Sequence, residues 1–183
     1  MVHIQPCKVS IAGDGGCGKT TLLATKNTGH FQGNSNLTIG VDFACMELSQ
    51  KDISIPVLIY DLGGQPRFQF LHDTYILGTK AGIILYDLTR SKTFDHVPKW
   101  LSLLFNENPQ MPIILVGSKR DLVQPEDMIQ FRKRWNQIQS QIEGGNNVVD
   151  HVFISSQSFE GINVLFERLT QELIPLYEIN VSA

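Results

Sequence analysis

Residues Gly13-Asp14-Gly15-Gly16-Cys17-Gly18-Lys19-Thr20 fit the pattern G-x-x-x-x-G-K-[ST]. They stand between an apolar run, Cys7 to Ala12, and a helical pattern over Lys19 to Lys26 that carries Leu22, Leu23 and Ala24. Strand, glycine-rich turn and helix, in that order, is the context this pattern requires. Glycines let successive N–H groups and the helix N-terminus converge on one anion. The spacing therefore predicts a cradle for a phosphate chain. Lys19 would reach the β- and γ-phosphates, and the Thr20 hydroxyl would meet Mg²⁺, an ion that takes hard oxygen ligands.

That unit opens a longer alternation of short apolar runs and helical patterns, the order that gives a parallel sheet covered on both faces. Val41 to Leu48 and Ile53 to Tyr60 are β-rich runs joined by Ser49-Gln50-Lys51-Asp52 and predict an antiparallel hairpin. Further strands are predicted at Gly82 to Asp87, Ile113 to Gly117 and Val152 to Ser155. Helices are predicted at about Phe94 to Glu107, Pro125 to Ile142 and Gly161 to Tyr177, with a turn or two of helix within Gln65 to Gly78. Pro125 suits a first helical position, and Glu126 and Asp127 suit the positive end of that helix. The expected class is α/β: a three-layer fold of the P-loop NTPase type, with a mostly parallel six-stranded sheet, one antiparallel edge strand and helices on both faces.

The 183 residues, 42% hydrophobic and 18% charged, suffice for one core, so a single domain over residues 1–183 is expected. A net charge of -3 argues against nucleic acid as a partner, since a duplex binder needs a basic face. Cys7, Cys17 and Cys45 stand singly, which suggests neither a disulfide framework nor a zinc site and fits a reducing, cytoplasmic setting. Apolar runs such as Ala81 to Tyr86 are far shorter than a membrane span. Met1 to Pro6 lacks the pattern of a secretory signal, and Ile179 to Ala183 holds no cysteine for prenylation, so no membrane anchor is expected in this sequence.

A phosphate loop alone leaves kinases, ATPases and GTPases open. Asp61-Leu62-Gly63-Gly64-Gln65 ends a β-rich run and offers a carboxylate for a magnesium-bound water, a glycine N–H for a γ-phosphate and a glutamine for an attacking water. Ser118-Lys119-Arg120-Asp121 ends another. There the Asp121 carboxylate suits the N1–H and 2-amino donors of guanine, an arrangement adenine lacks.

On these motifs the chain resembles a Ras-like small GTPase over nearly its whole length. The resemblance implies a molecular switch that binds GTP and GDP with Mg²⁺ and hydrolyses GTP slowly. It assigns the phosphates to Asp14, Gly15, Gly16, Cys17, Gly18, Lys19, Thr20 and Thr21. The base falls to Phe31, Ser118, Lys119 and Asp121, with Ser155, Ser156 and Gln157 as the last base loop. Thr20, Thr38 and Asp61 would hold the metal, and Gln65, Lys19, Gly64 and Thr38 would form the catalytic set. In this family the threonine matching Thr38 closes onto Mg²⁺ and the γ-phosphate only in the GTP state. A GTPase-activating protein, an exchange factor and effectors would act on the switch segments around Thr38 and Asp61 to Gln65 of a monomer, in signalling or membrane traffic. Thr38 to Phe43 and Gly64 to Phe68 look most like the Rab branch. Phe43 and Tyr60 match two of its three partner-facing aromatics, and the third place falls to Ile76. The Gly63-Gly64 pair is similar to Arf proteins and heterotrimeric alpha subunits.

Departures from the family pattern carry their own expectations. Ser118 stands for the usual asparagine and Gln157 for the usual lysine, which implies lower nucleotide affinity and faster exchange. Cys17 is either a reactive thiolate at the loop or a buried small residue. His3, His30, His72, His96 and His151 are scattered and read as solvated or packed. Phe31 to Thr38 has no arginine for an in-cis finger, and Arg67 is the nearest candidate. Two other readings stay open: a nucleotide-bound interaction module with little hydrolysis, and a P-loop kinase or ATPase.

Overall fold

The computed structural model describes residues 6–33, 37–65 and 69–181. Elements follow in the order β1 (Cys7–Gly13), α1 (Lys19–Thr28), β2 (Val41–Gln50), β3 (Ile53–Leu62), α2 (Gln69–Tyr75), β4 (Ala81–Asp87), α3 (Ser91–Asp95), α4 (Val97–Glu107), β5 (Ile113–Ser118), α5 (Pro125–Ile138), β6 (Val148–Phe153) and α6 (Ile162–Val181). Among the described residues, six strands form one sheet in the order β2-β3-β1-β4-β5-β6. Every neighbouring pair is parallel except β2 with β3, so the antiparallel strand lies at an edge, as expected.

Strand residues point alternately to opposite faces. Val9 and Ile11, Ile83 and Leu85, and Ile114 and Val116 join Leu22 of α1 and Leu165, Leu169 and Leu173 of α6 in one core. Ile84, Tyr86, Ile113 and Leu115 join Phe94, Trp100, Leu101, Leu104 and Trp135 in the other. Because both faces are covered, the central strands are apolar at nearly every position instead of alternating.

β2 and β3 run to Gln50 and Leu62 and α6 to Val181, past their expected ends, and three further elements differ for a visible reason. The helix predicted from Phe94 is two helices with His96 between them, because Pro98 in the first turn of α4 restricts the residue before it and starts a new helix. α5 begins at Pro125 as predicted, with the Asp127 carboxylate accepting the Gln124 N–H at 3.0 Å, but it ends at Ile138 and passes into a 3-10 turn. β6 starts at Val148, four residues before the predicted strand. Asp150 and His151 interrupt the apolar signal there, and as an edge strand β6 pairs only with β5, through a register irregularity at Ile113/Ile114.

His151 is 7% exposed, its Nε2 lies 2.8 Å from the Tyr86 hydroxyl, and its Nδ1 has no hydrogen-bond partner among the described residues. Burial, aided by the Arg132 charge, pulls the imidazole down to about 3. The unfolded chain takes up this proton near pH 6.5 while the folded chain refuses it until about pH 3, so stability falls as pH drops through that window. The slope is about 1.4 kcal/mol per pH unit. Denaturant titrations of His151→Gln are expected to show roughly 3 kcal/mol less loss than wild type between about pH 7 and pH 4.5. Parallel curves for the two proteins would contradict the assignment.

Candidate functional site

The parallel strands β1, β3, β4, β5 and β6 end on one edge of the sheet, and β1 sits where the chain order reverses, with β3 on one side and β4 on the other. Such a point opens a crevice at the carboxyl ends. Gly13 turns the chain out of the sheet at φ 139, and a Cβ there would lie 2.1 Å from the Leu85 carbonyl oxygen, so only glycine fits. After the loop, α1 starts at Lys19, whose Nζ folds back to the carbonyls of Gly13 (2.7 Å) and Asp14 (3.1 Å). Burial lowers the pKa of this ammonium, and the Asp61 carboxylate opposes that shift.

Two clefts meet over this loop. Gly15, Gly16, Gly18, Lys19, Thr20, Thr21, Leu37, Thr38, Gly64 and Gln65 line the first. The second, of about 270 Å³, is lined by Gly16, Cys17, Gly18, Thr21, Phe31, Gly33, Ser118, Lys119, Asp121, Leu122, Ser156 and Gln157. Gly16, Gly18 and Thr21 belong to both, so a narrow amide-rich end runs into a roomier end with an aromatic wall and a carboxylate. That is the shape and polarity of a purine nucleotide: polyanion at one end, planar base at the other.

At the mouth of the first cleft three oxygen-bearing side chains from separate segments converge. Thr20 Oγ1 lies 2.6 Å from Thr38 Oγ1 and donates to Asp61 Oδ2. Asp61 Oδ1 is buried without a hydrogen-bond partner among the described residues, and burial raises this carboxyl, with the Thr20 bond and Lys19 opposing. Two hydroxyls and a carboxylate with a spare oxygen form a donor set that fits a hard divalent cation such as Mg²⁺. The two segments flanking the cleft also touch directly. Gly63 N–H donates to Gly40 O at 2.8 Å, and a Cβ on Gly63 would lie 2.5 Å from that oxygen, which accounts for the glycine pair.

Not every residue assigned from sequence faces the clefts. The Asp14 side chain turns away and accepts from Trp100 Nε1 (3.0 Å), with His96 Nδ1 at 2.6 Å on its other oxygen. Ser155 is buried, and its Oγ accepts the Ser158 N–H at 3.0 Å, shaping the loop that presents Ser156. Cys17 is fully buried and burial pushes its thiol up, so it is a packed small residue and not a thiolate. Ile76 is 4% exposed in the core, and the ring that joins Phe43 and Tyr60 is Tyr75, at 6.0 and 6.3 Å. The third aromatic place is thus one residue earlier than the sequence reading put it, because the phase of α2 turns Tyr75 toward β2 and β3. Arg67 lies outside the described residues, as do residues 34–36 of the first switch segment.

The sequence reading gave no site role to four residues that brace the site: Asp87, Thr89, Arg90 and His72. Asp87, at the end of β4, holds Lys119 Nζ at 2.6 Å and Arg90 Nε at 2.8 Å on the same carboxylate oxygen. Burial alone would raise this carboxyl, but the hydrogen bonds from Lys119, Thr89 and Arg90 hold it below the usual range. Buried His72 places Nε2 3.1 Å from the Gly63 carbonyl and its ring against Trp100. Burial lowers its pKa, so the imidazole is neutral at pH 7. The one available signal was position: Asp87-Leu88-Thr89-Arg90 follows an apolar strand, as the other site segments do.

Comparison with known proteins agrees with this geometry. The sequence profile described as Ras family matches residues 8–175. The chain is 38% identical to Ras-related protein RABA1c of Arabidopsis thaliana over 133 residues, which cover 69% of this chain and 62% of that protein. It is 36% identical to RABA4b of the same plant, covering 69% and 59%, and 31% identical to Ras-related protein Rab11B of Nicotiana tabacum, covering 94% and 75%. The match thus spans about three fifths of the length of the first two relatives. With residues 8–175 matched by the family profile, the chain belongs to the Ras family and is related to its Rab-named members.

Proposed function

We propose that this chain is a guanine-nucleotide switch that binds GTP with Mg²⁺, hydrolyses it slowly to GDP and phosphate, and changes the contacts of its switch segments as it does so. The observation that carries this reading is the meeting of Thr20, Thr38 and Asp61 beside a loop that runs straight into a cleft containing Asp121. A magnesium ion, when bound, would neutralise charge on the phosphate oxygens. Thr20, Thr38 and the free oxygen of Asp61 would hold it. Lys19 sets its ammonium against the loop carbonyls, where it would face the terminal phosphates. Gln65 lines the same cleft and would orient the attacking water. Gly64 and Gly15 keep that space free of side chains. Asp121 and the Ser156 loop would read the base, and Phe31 would wall it.

Hydrolysis then rests on positioning and charge, with no covalent intermediate on the protein. Loss of the γ-phosphate would remove an anion that both Thr38 and Gly64 face and loosen their segments, an order–disorder change that effectors can read. Activating proteins, exchange factors and effectors are the proposed partners, and a cytoplasmic, monomeric chain is part of the same reading. Among the described residues no helix is long and apolar enough to cross a membrane.

Two measurements test this. The nucleotide retained on purification should be GDP or GTP, and excess ATP should fail to displace it. Single-turnover hydrolysis should fall about 10- to 100-fold in Gln65→Leu with nucleotide affinity kept, and an inserted arginine from an activating protein should speed the wild type by about 10³- to 10⁵-fold. An unchanged rate in Gln65→Leu would remove the water-positioning role.

A further inference from the structure

Ser118 has one hydroxyl proton but faces two carbonyls, Cys17 O at 2.7 Å and Tyr86 O at 3.0 Å. A hydroxyl donates one hydrogen bond, whereas a side-chain amide donates two. The tie between the phosphate loop and the β4–β5 edge therefore has one donor fewer than an asparagine would supply.

A second tie reaches the same loop from the turn between β4 and α3. Arg90 Nη2 donates to Gly15 O at 3.1 Å and lies 3.7 Å from Cys17 Sγ, and a Cβ built on Gly16 would be 3.5 Å from that same nitrogen. The guanidinium thus covers the loop over Gly15, Gly16 and Cys17. It is aimed before it gets there, because its Nε is fixed at 2.8 Å on Asp87, a carboxylate with no solvent exposure. The Asp87 oxygen that takes Arg90 also takes Lys119 of the base segment at 2.6 Å, and its other oxygen takes the Thr89 N–H and hydroxyl. One continuous path of charge-assisted bonds runs from Lys119 through Asp87 and Arg90 to the loop.

We propose that Arg90 is a positioning residue for nucleotide retention: it clamps Gly15 to Cys17 in the phosphate-receiving shape, couples that shape to the base segment through Asp87, and gives the loop a further side-chain donor, at Gly15 O, beside the single proton that Ser118 shares between Cys17 O and Tyr86 O. The inference rests on the nucleotide-binding reading above. The planar fork suits the task, since it bonds the carboxylate and the carbonyl from two edges at once, while a lysine ammonium is a point donor.

The test is dissociation of a fluorescent GDP analogue, chased with unlabelled GDP, from wild type, Arg90→Ala, Arg90→Lys, Ser118→Asn and the double variant Ser118→Asn/Arg90→Ala. Arg90→Ala is expected to speed release about 10- to 100-fold, the range of a charge-assisted hydrogen bond, with Arg90→Lys in between. In the Ser118→Asn background the same alanine change should speed release less than about threefold, because a two-donor amide ties the Cys17 end of the loop to the β4–β5 edge without the help of Arg90. A general loss of fold would act equally in both backgrounds and would not show that coupling. Equal effects in the two backgrounds, or release from Arg90→Ala within about twofold of wild type, overturn the proposal. Arg90→Ala and Arg90→Lys carry the test alone should Ser118→Asn not fold: release ordered wild type, lysine, alanine supports the clamp, and any other order overturns it. A wild-type chain that binds no labelled GDP at all instead removes the nucleotide-binding reading on which the clamp stands.

Discussion

Asp121→Ala is expected to abolish the preference for guanine over adenine nucleotides. Asp121 stands exposed at the wall of the base cleft, beside Lys119, which is held in a left-handed conformation (φ 61) and tied to Asp87. Its carboxylate is the group there able to accept from two donors on one edge of a purine, and guanine alone presents N1–H and a 2-amino group together. Hydrogen bonds to a charged acceptor contribute about 1.5–3 kcal/mol each, so losing two weakens GTP and GDP by about 10²- to 10⁴-fold. ATP, which makes neither bond, should bind the variant about as poorly as it binds wild type. Competition of GTP and ATP against a fluorescent GDP analogue measures both. A variant that keeps its guanine preference would move base reading to another residue.

Gly64→Ala is expected to cost about 100-fold in single-turnover hydrolysis while GDP release changes only a few-fold. A Cβ on Gly64 would lie 2.2 Å from Gly15 N, 2.4 Å from Asp14 C and 2.6 Å from Gly13 O. All three are backbone atoms of the phosphate loop, and no flexible side chain can swing aside. The Gly63 to Gln65 segment must therefore lift off the loop, and Gln65 leaves the cleft with it. A displacement of about 1 Å is enough for a loss of this size, because the rate depends on where the water is held. The base cleft is formed by other segments and is left intact. Phosphate release equal to wild type would show that the close approach of Gly64 to the loop is not needed for the reaction.

Both predictions draw on residues that local pattern had already marked, and the reason is physical. The phosphate loop needs glycines because backbone amides must reach an anion and because Gly13 leaves no room for a side chain beside β4. Asp61 and Asp121 announce themselves as carboxylates at or just past the ends of apolar strands, and parallel strands deliver such ends to one edge. The hairpin, the antiparallel edge and the helix start at Pro125 were legible for the same reason: each depends on neighbours within a few positions in the chain.

What the residues taken in order could not show is everything decided between segments far apart. Asp14 reads as a phosphate-loop residue, yet its side chain is claimed by Trp100 and His96, more than 80 positions away. Arg90 belongs to no motif that the sequence marks, yet it bonds Gly15 across 75 positions. Tyr75, and not Ile76, joins Phe43 and Tyr60 because the phase of one short helix settles which neighbour faces the sheet edge and which enters the core. Sequence alone determined the chemistry at the strand ends, since that chemistry follows from residue type and backbone geometry. Tertiary structure decided which side chains brace it, since a brace depends on distances that exist only once the sheet has brought its strand ends together.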